Sequence, residues 1–573
     1  MKKFISKLLT CVMAATAFCG GLVVVGCSSY MPEGTEKIDE TRTQLYVYNH
    51  FGGYGSDWIN AAKARYEELH KNDVYEKGKR GIQIYVNNQK ESLMTNSNKI
   101  LSNRDEVYFT EDVYYYILKA EGCLGDITEA VTGKLDAFGE QGTVEEKLSD
   151  VQAEFYGIKE SDGIHYYGLP HYAGFNGFIY DEELFEDNGY YFAKTATGSS
   201  LEDLFVSKDN PKKSAGPDGT ENTFDDGLPA TYDEFFKLCE FMKSDGTTPF
   251  VWNGIAYGHY MSKLAEALQA DYEGVEQMML NFKLNGEAKT LATVSNGNVV
   301  IDGTPTPVTS SDAPKVLARQ AGKYYAVDFL ERMVRGKDYY NSSLVFSSAY
   351  SHMDAQEDFI NSGKDGGHTA PIGMLYDGVW WESEAKNAFN DMVAERGEKY
   401  SSQNRRFAFM PFPKATKTEV EKAKNAPDNA KYTLCDTMFS MCFMKGNIAE
   451  WKKPIAIDFI KFCNTDESLR EFTRITNTLK ALDYEMTDDD LKDMNNYGKS
   501  LVRLKKASQV VYPLSTDPNY VNKQSHFIAD NLYRSTVNGR DHQNPASAYK
   551  DYTVTAEQYF AGLADYQAKT WSV

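Results

Sequence analysis

The sequence predicts an α/β fold in more than one domain, and three observations carry that reading. Strand-like and helix-like segments alternate from residue 45 to about residue 131, which is the order of a parallel sheet covered by helices. The chain has 573 residues, enough for a large core and for several domains of ordinary size. Its composition is 42% hydrophobic and 25% charged, ordinary globular values, and its mean hydropathy of −0.51 excludes a polytopic membrane protein. A formal charge of −21 would repel phosphate backbones and anionic headgroups, so no nucleic-acid partner is expected.

Taken in order, residues 1–26 read as an export signal: Lys2, Lys3 and Lys7 precede an uncharged apolar run from Leu8 to Val25. It ends in Val24-Val25-Gly26-Cys27, which resembles the bacterial lipobox, with Val24 where Leu is commonest. Cleavage before Cys27 and diacylglycerol on its thiol would give two acyl chains, enough for stable anchoring. Residues 27–44 then read as a polar tether. The expected location is the outer face of a cell membrane, of Gram-positive type. The exported part keeps 58 basic residues against 82 acidic ones, a charge of −24. Its cysteines beyond Cys27 are Cys123, Cys239, Cys435, Cys442 and Cys463, an odd number with no metal spacing, and they read as buried thiols.

Leu45–Asn49 is a strand, Phe51-Gly52-Gly53-Tyr54-Gly55 a loop, and Trp58, Ala62, Tyr66 and Leu69 recur at helical spacing. Ile82–Val86 and Val107–Thr110 are further strands, followed by a Tyr-rich helix and a turn at Leu124–Thr128. In such a sheet ligands bind beyond the carboxyl ends of the strands, which puts the 49–55 loop and Thr110-Glu111 on one rim. Ile164–Phe185 holds two aromatic strand-like runs broken by Gly-Leu-Pro. Thr231-Tyr232-Asp233-Glu234 is a capping box before a helix. Residues 276–314, low in aromatics, read as loops or a small hairpin; Pro371–Trp381 and Thr433–Met444 read as buried strands, and Ile455–Asn464 as a helix.

Six stations, LYVYNHFGG…DWINAAKARYEE, DEVYFT with GCLGDITEAV, YYGLPHYAGFNGFIYDEELF, TYDEFFKLCEFM, IGMLYDGVWWESEA and IAIDFIKFCN, follow one another from about 45 to 465. Their order behind a lipobox resembles the family 1 extracellular solute-binding proteins of bacterial ABC importers, the carbohydrate-binding group that includes maltose-binding protein. The resemblance implies a two-lobed periplasmic-binding-protein type II fold with hinge crossings and a ligand cleft. It implies lobe 1 from 45–172 and 438–507, lobe 2 from 177–433, and a helical segment 508–573 against lobe 2. Pro170–Gly177 and Thr433–Met438 look like the crossings, and Asp377-Gly378-Val379-Trp380 looks like the family's Asn-Gly-x-Trp turn, whose Trp stacks on sugar, with Asp in place of Asn. The implied function is capture of a carbohydrate, an oligosaccharide, and its delivery to ABC permease subunits by lobe closure, as a monomer.

A sugar presents apolar C–H faces edged by hydroxyls, so its site stacks aromatic rings and aims carboxylates and amides at the edges, with no cofactor required. The expected contacts are Asn49, Phe51, Tyr108, Glu111, Tyr172, Asn176, Trp252, Tyr257, Asp377, Trp380, Trp381 and Asp436. Tyr260 and His50 are weaker choices. Gly216–Gly227 packs Asp218, Glu221, Asn222, Asp225 and Asp226 together in a way that resembles a calcium loop, without EF-hand spacing, and Asp218, Asn222, Asp225 and Asp226 are the expected ligands of a structural Ca2+. Two other classes stay open. An exported glycan-acting enzyme would need two facing carboxylates, and Glu382 and Glu384, two residues apart, do not face one another on a helix. A receptor for a peptide or other non-sugar solute is the third.

Overall fold

A computed structural model describes residues 36–571, apart from positions 92, 94, 95, 112, 113, 337, 364–368 and 439. The export signal, Cys27 and the first part of the tether lie outside the described residues. No described helix is long and apolar enough to cross a membrane.

The first lobe is built on a five-stranded sheet in the order Ile82–Gln89, Thr43–His50, Val107–Thr110, Met441–Met444, Leu169–Pro170. The first three strands are parallel, with Val47 opposite both Val86 and Val107, and Met441–Met444 runs antiparallel. Thr43–His50 is buried along nearly its whole length because helices cover both faces of the sheet. Helix Asp57–Leu69 closes one face with Trp58, Ile59, Ala62 and Tyr66, the spacing that puts four side chains on one stripe.

The second lobe is built on a four-stranded sheet in the order Phe407–Met410, Asn176–Asp181, Ile372–Gly378, Thr248–Trp252. The chain leaves the first sheet at Pro170 and enters the second at Asn176, and it returns between Cys435 and Met441. The Thr433–Met444 segment is therefore two short strands: Tyr432–Cys435 pairs with Ser508–Val511, and Met441–Met444 joins the first sheet.

Helices Lys453–Cys463 and Asp466–Thr476 pack on the first lobe, where Arg65 of helix Asp57–Leu69 reaches Ser468 and Glu471. Helix Asn496–Lys506, expected with them, lies instead on the second sheet: Phe409 N donates to Ser500 Oγ, and Asn496 Nδ2 donates to Phe407 O. A third passage between lobes thus falls between residues 477 and 495. The tail packs on second-lobe helices, with Tyr533 Oη donating to Ala265 O and Arg335 to Val554 O.

The longest helix, Tyr257–Lys283, is broken at Gly274, where φ 73° and ψ 172° leave the helical region. Its first half runs from the cleft into the core. Its second half carries residues 286–308, which form two antiparallel pairs, including the hairpin Leu291–Ser295 with Asn298–Asp302.

Candidate functional site

The first-lobe wall begins where two parallel strands end. His50 Nε2 lies 3.2 Å from Glu111 Oε2. Burial pushes the Glu111 carboxyl up, but His50, the Tyr172 hydroxyl and Lys263 outweigh it and hold the group below its ordinary range. Tyr54 packs against Tyr172 with ring centroids 3.9 Å apart and the rings tilted by 45°, and its buried hydroxyl has no hydrogen-bond partner. Asn49 spends its amide on Gly55 O and Asn88 Oδ1, so it holds the 51–55 loop in shape, and Phe51 is half-buried on that loop.

The crossings form the floor. Asp436 Oδ1 accepts from the backbone N–H of Gly174 and of Met438, each at 3.0 Å. Burial pushes its carboxyl up to about 7. Asn176 Oδ1 accepts from Thr437 Oγ1 at 2.7 Å, a second tie between the two crossing strands. The two ties join crossing segments some 260 positions apart in the chain.

The second-lobe wall is Trp380. Its ring covers Gly378 and reaches Gly174, and its Cβ lies 2.4 Å from where a β-carbon on Gly53 of the first lobe would sit. Lys263 Nζ stands 5.8 Å from the Trp380 ring and 3.6 Å from Met438 Sδ. Behind the ring, Asp377 accepts from Tyr260 Oη at 3.1 Å, Gln356 Nε2 at 2.9 Å and its neighbour Gly378 N. Gln356 Nε2 also reaches Glu384 Oε2 at 3.1 Å, and His352 Nε2 is 3.6 Å from that same oxygen. Burial raises the carboxyls of both Asp377 and Glu384. The lobes are further tied by Lys386 Nζ to Asp57 Oδ2 at 2.8 Å.

Four expected contacts are placed elsewhere. Trp252 is fully buried, edge-on to Tyr340 at 4.8 Å and to Phe346 at 5.7 Å, because residues 339–346 fold over the end of its strand. Trp381 opens a short helix instead of continuing the strand, which turns its ring into a core of Phe359, Phe407 and Tyr497. Tyr108 is a core residue stacked on Phe443 at 4.7 Å, its hydroxyl bonded to Ile100 O. Tyr257 packs edge-on against Phe346 at 5.0 Å and beneath Lys550 of the tail. Glu382 donates nothing to the cleft: it accepts from Asn477 and Asn495, so it does not face a bond together with Glu384. Residues the sequence reading did not assign are Tyr54, Gln356 and His352, joined in the site to Lys263 and Met438.

In the acidic loop, Asp218 and Asp225 are buried, and burial together with Asp225 pushes the Asp218 carboxyl up to about 6. Asp225 accepts from Asp218 N, Thr223 and Tyr432, and Asp226 from Asn222 N and Thr223 N. Asn222 takes a positive φ of 66°, which Asn tolerates better than most residues. The five cysteines described are all buried free thiols, Cys435 and Cys442 among them.

No family model matches the chain, and no curated protein matches it. Solved structures do. A chitin oligosaccharide binding protein aligns over 92% of this chain and 98% of its own, at 15% identity and a TM-score of 0.50. Maltose-bound T. maritima MalE3 aligns over 92% and 100%, at 12% identity and 0.51. This chain has the two-lobed solute-receptor fold. The GacH receptor of Streptomyces glaucescens, solved unliganded and with acarbose, aligns over 93% and 100%, at 11% identity and 0.50. In that fold the cleft between the lobes is where Trp380, Tyr54, Glu111 and Asp436 converge here.

Proposed function

We propose that this chain is an exported receptor that captures a carbohydrate between its lobes and hands it to an ABC permease, held at the membrane by a diacylglyceryl Cys27. The observation that carries the reading is the Trp380 ring at the junction of both lobes and the hinge, with the Asp436 carboxyl on the crossing and the Asp377 carboxyl behind it. An aromatic face suits the C–H side of a pyranose, and carboxylates suit its hydroxyl edge. The fold supports the reading, since the aligned structures include a chitin oligosaccharide binding protein and receptors solved with maltose and with acarbose. Contacts that complete only when both lobes meet would drive closure.

Calorimetric titration with xylo-, manno-, malto-, galacto- and fructo-oligosaccharides tests this. Heat with at least one series, and a fall in radius of gyration on binding, are expected. No heat and no Tm shift with any series at millimolar sugar would count against it, and product chromatography of the same mixtures separates binding from hydrolysis.

A further inference from the structure

Four carboxylates stand in the cleft or directly behind its Trp380 wall: Glu111 from the first lobe, Asp436 from the return crossing, and Asp377 and Glu384 from the second lobe. Only Glu111 has a close basic partner on its own wall, His50 at 3.2 Å. Among the described residues neither Asp436 nor Asp377 makes an ion pair, and Glu384 has only His352 at 3.6 Å. Among the described residues Lys263 is the one lysine that reaches over Trp380, and it acts on Glu111 and Asp436 together, as Lys90 does on Glu384. Burial nevertheless raises the Asp436, Asp377 and Glu384 carboxyls, so once they ionise the cleft holds more carboxylates than cations to balance them.

Two further groups point to what the surplus is for. Tyr54, 5% exposed, has an unpartnered hydroxyl that feels the Glu111, Asp436 and Glu384 carboxylates at once. Gln356, 1% exposed, spans Asp377 and Glu384 with its amide nitrogen and leaves Oε1 without a donor. Buried polar atoms without partners are costly: Gln356 Oε1 takes only a donor from outside the protein, and the Tyr54 hydroxyl, ringed by carboxylates, can donate to or accept from a ligand hydroxyl. Sugar hydroxyls are donors. A ligand carboxylate is an acceptor only, and it would bring a further like charge into a desolvated site.

We infer that the cleft selects uncharged oligosaccharides and rejects those bearing a uronic acid carboxylate, with Asp436 and Glu384 the residues that repel the anion. The inference rests on the carbohydrate reading above. Specificity here comes from an unfavourable contact with the wrong ligand as much as from a favourable one with the right ligand.

The test is calorimetry of the full chain at pH 8 and low salt with matched pairs: manno- against mannuronate oligosaccharides, galacto- against galacturonate, and xylo- against glucuronate-substituted xylo-oligosaccharides. In the pair whose neutral member binds, the uronate member should bind at least about tenfold more weakly. Asp436→Asn and Glu384→Gln, which keep an acceptor oxygen, should each narrow that gap several-fold; Tm and circular dichroism establish that both variants are folded. A uronate member that binds as tightly as its neutral partner, or tighter, overturns the inference and leaves the carbohydrate reading standing. A gap that neither folded variant narrows overturns the assignment to these two residues. Silence from every pair, and from the malto- and fructo-oligosaccharides as well, overturns the carbohydrate reading and this inference with it.

Discussion

Gly53 of the first lobe and Trp380 of the second meet so closely that a β-carbon on residue 53 would lie 2.4 Å from the Trp380 Cβ, well inside van der Waals contact. The neighbouring atom is the root of a large ring and cannot swing aside. Gly53→Ala should therefore leave each lobe folded and hinder their full approach. Overpacking of this kind costs about 1–3 kcal/mol, so ligand affinity should fall by roughly tenfold while the Tm of the free protein stays within a few degrees. Unchanged affinity would show that the lobes need not meet at this point.

Trp380 and Trp252 are both tryptophans at the ends of second-lobe strands, and the structure gives them opposite roles. Trp380→Ala removes a half-buried ring at the lobe junction; it should weaken sugar binding roughly tenfold to a hundredfold with little loss of stability. Trp252→Ala empties a fully buried site and should cost about 3–5 kcal/mol in denaturant unfolding, with affinity per folded molecule nearly kept. The reverse pattern would mean that the stacking face has been assigned to the wrong ring.

The Asp436 carboxyl, pushed up to about 7 by burial, makes a pH prediction with a definite sign. An acid whose folded pKa exceeds its unfolded value favours the fold when protonated. That contribution is complete below about pH 4 and is lost as pH rises towards 7. Asp436→Asn keeps the acceptor for Gly174 N and Met438 N and removes the charge. The variant should be more stable than the parent at pH 8, by at most about 4 kcal/mol at 1.36 kcal/mol per unit, and the difference should shrink on titration to pH 5. A difference that is flat in pH would place the buried charge elsewhere.

For the Gly216–Gly227 loop we propose a bound Ca2+, which would relieve the repulsion between Asp218 and Asp225. Millimolar calcium should raise the Tm at pH 7.5, less so at pH 5.5 where the Asp218 carboxyl, raised to about 6, takes up a proton instead. Asp218→Asn should abolish the rise. No rise at either pH would identify the loop as closed by its own Thr223, Asn222 and Tyr432 donors.

Much of the frame was legible in the local sequence. The Asp-Gly turn at 377–378 ends a strand and sets Trp380 at its tip, and the Phe51–Gly55 loop marks the rim, because turn chemistry is short-range. Asn176 and Asp436 were legible as crossing residues for the same reason, although their partners were not. What local pattern does not carry is which distant segment covers a side chain. Trp252 also precedes an Asn-Gly pair, yet Tyr340 and Phe346 bury it from 88 and 94 residues away. Trp381 was read on an extended strand, and a helix starting at that residue turned it inward. Lys263 and Gln356 sit on helices where a lone polar residue ordinarily signals a solvent face. Helix Tyr257–Lys283 is buried on most sides, and its polar residues divide between the Trp380 wall, where Lys263 lies, and buried ties such as Gln269 and Asn281 to Gln320, a division its own pattern does not reveal.

The break at Gly274 separates two mechanical parts of one helix. The half that carries Tyr260 and Lys263 is locked into the core, whereas the hairpin with its turn at Asn296-Gly297 hangs beyond the bend, with Val300 and Ile301 exposed. An epitope or a fluorescent reporter grafted at that turn would ride on the protein without touching Trp380 or the groups around it, which makes the hairpin tip the natural handle for labelling this protein.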